Sequence, residues 1–155
     1  MLLITNGTII DPKNHFEGKE DLLIGDDGRI LKRAPSGELS AEHVFDASGC
    51  IVAPGLVDTH SHFRDPGFTY KEDLHTGSLA AAAGGYTSVI LMANTNPPVD
   101  STEILTDILE RGRREQIHIY SAGHVTKGMK GQEVNDLQAL AAAGAPVFTD
   151  DGKPI

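Results

Sequence analysis

The sequence predicts an α/β protein in which a small β-rich region precedes alternating strands and helices. Residues 1–53 contain short apolar runs separated by turn residues and show no convincing helix pattern. Residues 54–155 instead alternate apolar, β-branched runs with helical patterns. Such alternation is typical of βα units built around a parallel sheet, which repeat about every 30 residues. We therefore predict two regions of different architecture, 1–53 and 54–155.

Three turn signals mark the β-rich region. Asn6-Gly7 separates two apolar runs in LLITNGTII, which is a strong short signal for a β-hairpin. The apolar runs around Asp26-Asp27-Gly28 and around Ser48-Gly49 repeat this pattern. We expect the strands to form a small sheet or partial sandwich, and we interpret this region as a scaffold.

The second region predicts four strands and three helices. The strand candidates are APGLVDTH, YTSVILMAN, IHIYSAG and APVFTDDG, and the helix candidates are EDLHTGSLAAAAGG, DSTEILTDILERGRREQ and NDLQALAAAG. In the second helix, Asp100 is placed to cap the N-terminus, and Glu103 lies three positions on, as in a capping box. Because helices cover both sides of a parallel sheet, we expect these strands to be buried on both faces.

Composition excludes several classes of function. The net charge of −9, without a basic stripe, argues against nucleic acid or an anionic membrane surface as the main partner. A small anionic substrate stays compatible, because a local arginine can bind it. Cys50 is the only cysteine, which excludes an intrachain disulfide and a cysteine-based zinc site. The sequence contains no signal-peptide pattern and no membrane-spanning run, so we predict a cytoplasmic protein.

The end of the first strand carries two histidines, His60 and His62. In parallel α/β folds, ligands bind at the carboxyl ends of the strands. Residues i and i+2 of a strand point to the same side, about 6.5–7 Å apart, so two imidazoles at this spacing can bind one metal ion. We therefore predict a metal site here rather than a pair of surface histidines.

Other strand ends add candidate residues. Arg64 has a guanidinium suited to a carboxylate, although it could instead pair with Asp65. Asn94 ends the second strand and offers a donor and an acceptor, but it could equally be a turn residue. At the fourth strand end, one acid of the Asp150-Asp151 pair is a candidate ligand, and a carboxylate can bridge two cations. The remaining histidines are not predicted to be ligands: His15, His43, His75, His118 and His124.

Three stretches carry a family resemblance: APGLVDTHSHFRDPG, GGYTSVILMANTNPP and GAPVFTDDG. With them, the chain resembles the N-terminal part of a dihydroorotase of the class I bacterial type, in the amidohydrolase superfamily, over all 155 residues. The resemblance implies the N-terminal half of a (β/α)8 TIM-like metal-dependent hydrolase barrel, strands 1–4, preceded by a segment of a small composite β-domain.

The resemblance also implies residue roles. His60, His62 and Asp151 would be zinc ligands, with Asp151 also catalytic, and Arg64, Asn94 and His62 would bind the substrate. The implied reaction is the reversible cyclisation of N-carbamoyl-L-aspartate to L-dihydroorotate in pyrimidine biosynthesis, with two Zn²⁺ ions in a complete site. In hydantoinases a carboxylated lysine takes the fourth-strand position, whereas no lysine ends that strand here, which favours dihydroorotase.

Several alternatives stay open. A (β/α)8 barrel needs about 200 residues or more, so we expect these 155 residues to be an inactive fragment that binds at most one Zn²⁺, weakly. A hydantoinase- or allantoinase-like cyclic amidohydrolase, a non-catalytic dihydroorotase-like scaffold subunit and a stand-alone metal-binding module are the rival functions. The partners implied are the small-molecule substrate and either a second copy of the chain or another pyrimidine-pathway enzyme.

Overall fold

The computed structural model describes all of the residues, Met1–Ile155, and the chain divides into two compact units. The first unit is Met1–Pro54 and the second is Gly55–Ile155. None of the helices has both the length and the apolar character needed to cross a membrane.

The first unit contains seven β-strands in two sheets. The strands are β1 (Leu2–Thr5), β2 (Thr8–Asp11), β3 (Phe16–Lys19), β4 (Asp21–Ile24), β5 (Ile30–Ala34), β6 (His43–Asp46) and β7 (Ile51–Val52). One sheet has the order β5-β4-β1-β6, and the other has the order β3-β2-β7. The buried apolar residues of this unit are Leu3, Ile9, Leu22, Ala34 and Ala47.

The hairpin predicted at Asn6-Gly7 is wrong. β1 and β2 lie in different sheets, as do β6 and β7 on either side of Ser48-Gly49. The segment from β1 to β2 instead runs parallel to the segment from β6 to β7. β1 pairs with β6, and β2 pairs with β7. Their backbone groups are therefore satisfied by the other segment, which lies about 40 residues away in the chain. Of the three predicted turns, only Asp26-Asp27-Gly28 connects two strands that pair with each other, the antiparallel strands β4 and β5.

The second unit alternates strands and helices, as the sequence predicts. Its elements are β8 (Leu56–Ser61), α1 (Leu74–Ala83), β9 (Tyr86–Leu91), α2 (Thr102–Gly112), β10 (His118–Ser121) and α3 (Leu137–Ala143). The sheet has the order β10-β9-β8, and both pairings are parallel. This arrangement brings the carboxyl ends of the three strands to one edge of the sheet.

The predicted fourth strand does not form as a regular strand. Its segment makes one isolated parallel bridge, between Gly123 and Phe148. The bridge stays single because the chain beyond β10 soon turns away from this segment, and the backbone N–H of His124 donates to the carbonyl of Val99 at 2.8 Å. The last backbone hydrogen bond between this segment and residue 123 is made by Thr149, whose N–H donates to the Gly123 carbonyl at 3.0 Å.

The cap of α2 also differs from the prediction. The helix begins one residue later than expected, and the Ser101 side chain accepts the hydrogen bond from the N–H of Ile104 at 3.5 Å. Asp100 does not cap the helix, because its carboxylate accepts a hydrogen bond from the N–H of Gly128 at 2.8 Å. A capping box is found at α1 instead, between Asp73 and Thr76.

An aliphatic core lies between the sheet and the helices of the second unit. It includes Val89 and Leu91 of β9, Leu105 and Ile108 of α2, and Leu140 of α3. β8 departs from the expectation of burial on both faces, since Leu56 is 53% exposed and Val57 is 58% exposed. The physical reason is that β8 is an edge strand, while α1 packs mainly on β9 and α2 on β10.

Candidate metal centre

β8 places two imidazoles side by side at its carboxyl end. His60 lies in the strand and His62 directly follows it. The two ring centroids are 5.3 Å apart, with an angle of 61° between the ring planes. The backbone between them is fixed to β9, because the N–H of Met92 donates to the carbonyl of Ser61 at 2.8 Å. The strand therefore presents both rings at the sheet edge where β9 and β10 also end.

Asp151 comes to the two histidines from the loop after the single bridge. Its Oδ1 lies 3.3 Å from Nε2 of His60, and its Oδ2 lies 3.4 Å from Nε2 of His62. One ligand atom from each of the three residues can be chosen so that all lie within 4.8 Å of one another. The structure thus brings together the three residues for which the sequence suggested metal ligation.

The three donors fit zinc. Two imidazole nitrogens and one carboxylate oxygen are typical zinc ligands, with bonds of about 2.0–2.2 Å. Two such ligands on a tetrahedral ion would lie about 3.3–3.4 Å apart. Each histidine Nε2 lies at this distance from one oxygen of Asp151, a different oxygen for each histidine. Three protein ligands also leave a fourth position for water or substrate, as in catalytic zinc sites.

Asn94 connects the three groups that surround it. Its Nδ2 donates to Oδ2 of Asp151 at 3.1 Å, and its Oδ1 lies 3.2 Å from Nδ1 of His62 and 3.4 Å from a guanidinium nitrogen of Arg64. Because Oδ1 can only accept, Nδ1 of His62 carries the hydrogen. Nε2 of a neutral His62 then keeps its lone pair on the side of Asp151, where a metal ion would need it.

Arg64 forms no ion pair, so the pairing with Asp65 that the sequence left open is not found. Asp65 is held instead by Arg111, whose two terminal nitrogens each lie 2.8 Å from one carboxylate oxygen. Hydrogen bonds to Asp65 raise the pKa of Arg111 above its usual value, and burial opposes them only in part. The Arg64 guanidinium therefore keeps most of its donors for a ligand.

A buried histidine and aspartate lie next to the centre, and the sequence reasoning missed their pairing. His124 is 0% exposed, and its Nδ1 lies 3.0 Å from Oδ1 of Asp150. Burial raises the pKa of Asp150, but hydrogen bonds from the hydroxyl and N–H of Thr126 and from His124 outweigh it and leave the pKa below its usual range. The sequence placed His124 correctly in a loop, but carried no signal of its burial.

Comparison with known proteins identifies relatives of the chain. Residues 49–155 match the family model described as dihydro-orotase-like. The chain is 52% identical over all 155 residues to a dihydroorotase of Streptococcus pyogenes serotype M3, and 51% identical to a dihydroorotase of Clostridium acetobutylicum. These matches span 36% and 37% of the two relatives' lengths.

Solved structures share the fold. The L-hydantoinase (dihydropyrimidinase) of Arthrobacter aurescens superposes with a TM-score of 0.77, at 21% identity, over 95% of this chain and 32% of its own. The D-hydantoinase (dihydropyrimidinase) of a Thermus species superposes with a TM-score of 0.65, at 26% identity, over 96% of this chain and 32% of its own. These neighbours support the prediction of an incomplete hydrolase barrel.

Proposed function

Because the chain belongs to the dihydro-orotase-like family, we propose that it supplies the metal-ligating and substrate-anchoring part of a zinc-dependent dihydroorotase. The proposed reaction interconverts N-carbamoyl-L-aspartate and L-dihydroorotate. The observation that carries this proposal is the meeting of His60, His62 and Asp151 beside the Arg64–Asn94 contact. One cluster can hold a metal ion, and the adjoining one can hold an anion.

His60, His62 and Asp151 are the residues that would hold the zinc ion. When bound, zinc would polarise the amide carbonyl and lower the pKa of a bound water towards about 7. A carboxylate has two oxygens, so Asp151 could also be shared between two cations. Asn94 restrains both His62 and Asp151, so it would limit the motion of two ligands at once.

Arg64 and Asn94 are proposed to bind the free carboxylate of the substrate. A guanidinium grips a carboxylate with two parallel hydrogen bonds, and Arg64 has the free donors to do so. Such a grip fixes the orientation of the substrate relative to the neighbouring ligands, which lowers the entropic part of the barrier. Unsubstituted hydantoin carries no carboxylate, so Arg64 favours dihydroorotate over this simplest cyclic ureide.

The test measures turnover of dihydroorotate, hydantoin and allantoin by the complete polypeptide that carries this sequence, after zinc reconstitution. Rapid hydrolysis of dihydroorotate alone is the expected result. Turnover of hydantoin or allantoin without dihydroorotate would establish the rival hydrolase function, and zinc binding without turnover of any of the three would favour a scaffold or binding module. The same assay on the 155-residue chain tests our expectation that these residues alone have no useful activity.

A matched pair of variants separates the metal site from other histidine–carboxylate contacts. His62→Ala should lower the zinc content and reduce turnover by about 100-fold or more, because it removes a metal ligand. His75→Ala is the control, since His75 also lies beside a carboxylate, 3.0 Å from Glu115, but outside the cluster. It should keep the zinc content and the turnover of the wild-type protein.

A further inference from the structure

Asp150, the neighbour of Asp151, collects hydrogen bonds from three consecutive residues. Its Oδ1 lies 3.0 Å from Nδ1 of His124, 3.0 Å from the N–H of Val125 and 3.2 Å from the N–H of Thr126. Its Oδ2 accepts a hydrogen bond from the Thr126 hydroxyl. Asp150 is only 5% exposed, so its carboxylate is withdrawn from water and bound on both oxygens to residues 124–126.

The segment that Asp150 grips is itself fixed to the rest of the second unit. The N–H of His124 donates to the carbonyl of Val99 at 2.8 Å, and Asn135 donates its side-chain amide to the carbonyl of Asp100 at 2.9 Å and to that of His124 at 3.4 Å. The Thr126 hydroxyl also accepts a hydrogen bond from the N–H of Gly131 at 2.9 Å. Asp150 is thus bound to a loop that other hydrogen bonds hold in place.

The backbone that carries Asp151 is not held by a regular strand ladder. Nδ1 of His124 lies 3.1 Å from the Thr149 carbonyl, and the N–H of Lys153 donates locally to the Asp150 carbonyl at 2.8 Å. In a regular strand, ladder hydrogen bonds would fix each successive residue, but here the pairing is a single bridge, and its last bond is made by the N–H of Thr149. Residues 150 and 151 lie beyond that bond. The side chain of Asp150 therefore adds hydrogen bonds to residues 124–126 where a longer ladder would otherwise fix the backbone.

We propose that Asp150 is a positioning residue that holds Asp151 at its distance from His60 and His62, and so sets the metal affinity of the site. The inference rests on the proposed function, because it presumes that Asp151 is a metal ligand. Asp150 contacts neither histidine of the cluster and acts only through the backbone to the next residue. It keeps the Asp151 carboxylate in place before metal arrives, which lowers the ordering cost of binding.

The test compares Zn²⁺ affinity in Asp150→Asn and Asp21→Asn, measured by competition with a chromogenic chelator. Asp21 is a matched control, because it is also a buried carboxylate with hydrogen bonds from two hydroxyls and one backbone N–H, but lies in the first unit. Asp150→Asn should weaken Zn²⁺ binding by about 10-fold or more, as removal of supporting groups around metal ligands does. Asp21→Asn should leave the affinity within about 2-fold of the wild-type value.

Visible absorption of the Co²⁺-substituted protein adds a readout that reports ligand geometry. The Co²⁺ bands should change in Asp150→Asn and stay unchanged in Asp21→Asn. If Asp150→Asn does not fold, Thr126→Val serves instead. It keeps the Asp150 carboxylate but removes the hydroxyl that donates to Oδ2 and accepts from the N–H of Gly131, and it should weaken Zn²⁺ binding by about 3-fold or more.

Three results would overturn the inference. Unchanged affinity and bands in the folded Asp150 variant, or in Thr126→Val where that variant replaces it, would show that Asp150 does not position the ligand. An equal loss of affinity in Asp21→Asn would show that general destabilisation explains the effect. A wild-type protein that binds no Zn²⁺ would overturn the metal site itself, and the inference with it, which distinguishes that failure from the first two.

Discussion

Nδ2 of Asn94 lies 3.1 Å from Oδ2 of Asp151, although 57 residues separate them in the chain. The bond joins the residue proposed to anchor the substrate to a residue proposed to bind the metal. Because Asn94 also contacts His62 and Arg64, its amide is shared by both parts of the centre. Substrate and metal binding are therefore expected to depend on each other through this one side chain.

Replacing Asn94 tests that dependence. Asn94→Ala should raise the KM for dihydroorotate by about 10- to 100-fold, because it removes a substrate contact and leaves Arg64 without its hydrogen-bond acceptor. It should also weaken Zn²⁺ binding, since His62 and Asp151 both lose a partner. Steady-state kinetics and metal competition measure the two effects. Asn96→Ala is the control, and an equal rise in KM in that variant would contradict the assigned role.

Gly67 is expected to tolerate no side chain. Its φ is +94°, and a Cβ at this position would lie 2.0 Å from the carbonyl oxygen of Asn96. Gly67→Ala should lower the free energy of unfolding by about 2–4 kcal/mol, because it adds a steric clash to backbone strain. Gly85→Ala, with φ of +82° and nothing within 4 Å, isolates the strain and should cost about 1 kcal/mol. Equal denaturant midpoints for Gly67→Ala and Gly85→Ala would show that the clash at residue 67 does not lower stability.

Arg111 should contribute to stability through Asp65. The Asp65 side chain is 8% exposed, so Arg111→Met would leave a buried carboxylate without its two guanidinium hydrogen bonds. The expected loss in the free energy of unfolding is about 2–3 kcal/mol. It is smaller than for a fully buried pair, because the Arg111 side chain is 37% exposed. Urea unfolding measures it, with Arg113→Met, an exposed arginine without an ion pair, as the control. A loss no larger than that of the control would show that the pair is dispensable.

We expect the Asp21 carboxylate to make the free energy of unfolding depend on pH in acidic solution. Burial raises its pKa, but hydrogen bonds from Gly37 N–H and from the hydroxyls of Thr5 and Ser36 outweigh it, so the pKa lies below its usual value. A depressed pKa stabilises the folded state above about pH 3.9, and this contribution is lost as the pH falls through the folded-state pKa. Asp21→Asn should therefore flatten the fall in the urea midpoint below about pH 4. Asp27→Asn, at an exposed turn, is the control and should keep the wild-type dependence of the urea midpoint on pH. The same dependence in Asp21→Asn would show that Asp21 is not the source of the acid sensitivity.

Local sequence signals were sufficient to predict part of the structure. Alternation of apolar strand runs and helical runs predicted the order of the three strands and three helices that form in residues 55–155, because periodicity and helix-stopping glycines act over a few residues. The fourth predicted strand forms only a single bridge. The same signals placed His60, His62 and Asn94 at the ends of strands that form, where a parallel sheet brings chain segments together. Asp151 follows a predicted strand of which only one bridge forms, yet it reaches the same site. Their roles as ligands and anchors remain proposals.

Which segments pair with each other depends on the three-dimensional fold. The sequence could not show that β1 pairs with β6 rather than β2, because both partners satisfy the same backbone groups and differ only in long-range packing. Asp65 pairs with Arg111 across 46 residues, and Asp150 pairs with His124 across 26. Local patterns identified the side chains able to bind metal or substrate and the approximate ends of their strands. The fold determined which side chains meet, because burial and pairing depend on contacts between segments that are distant in the chain.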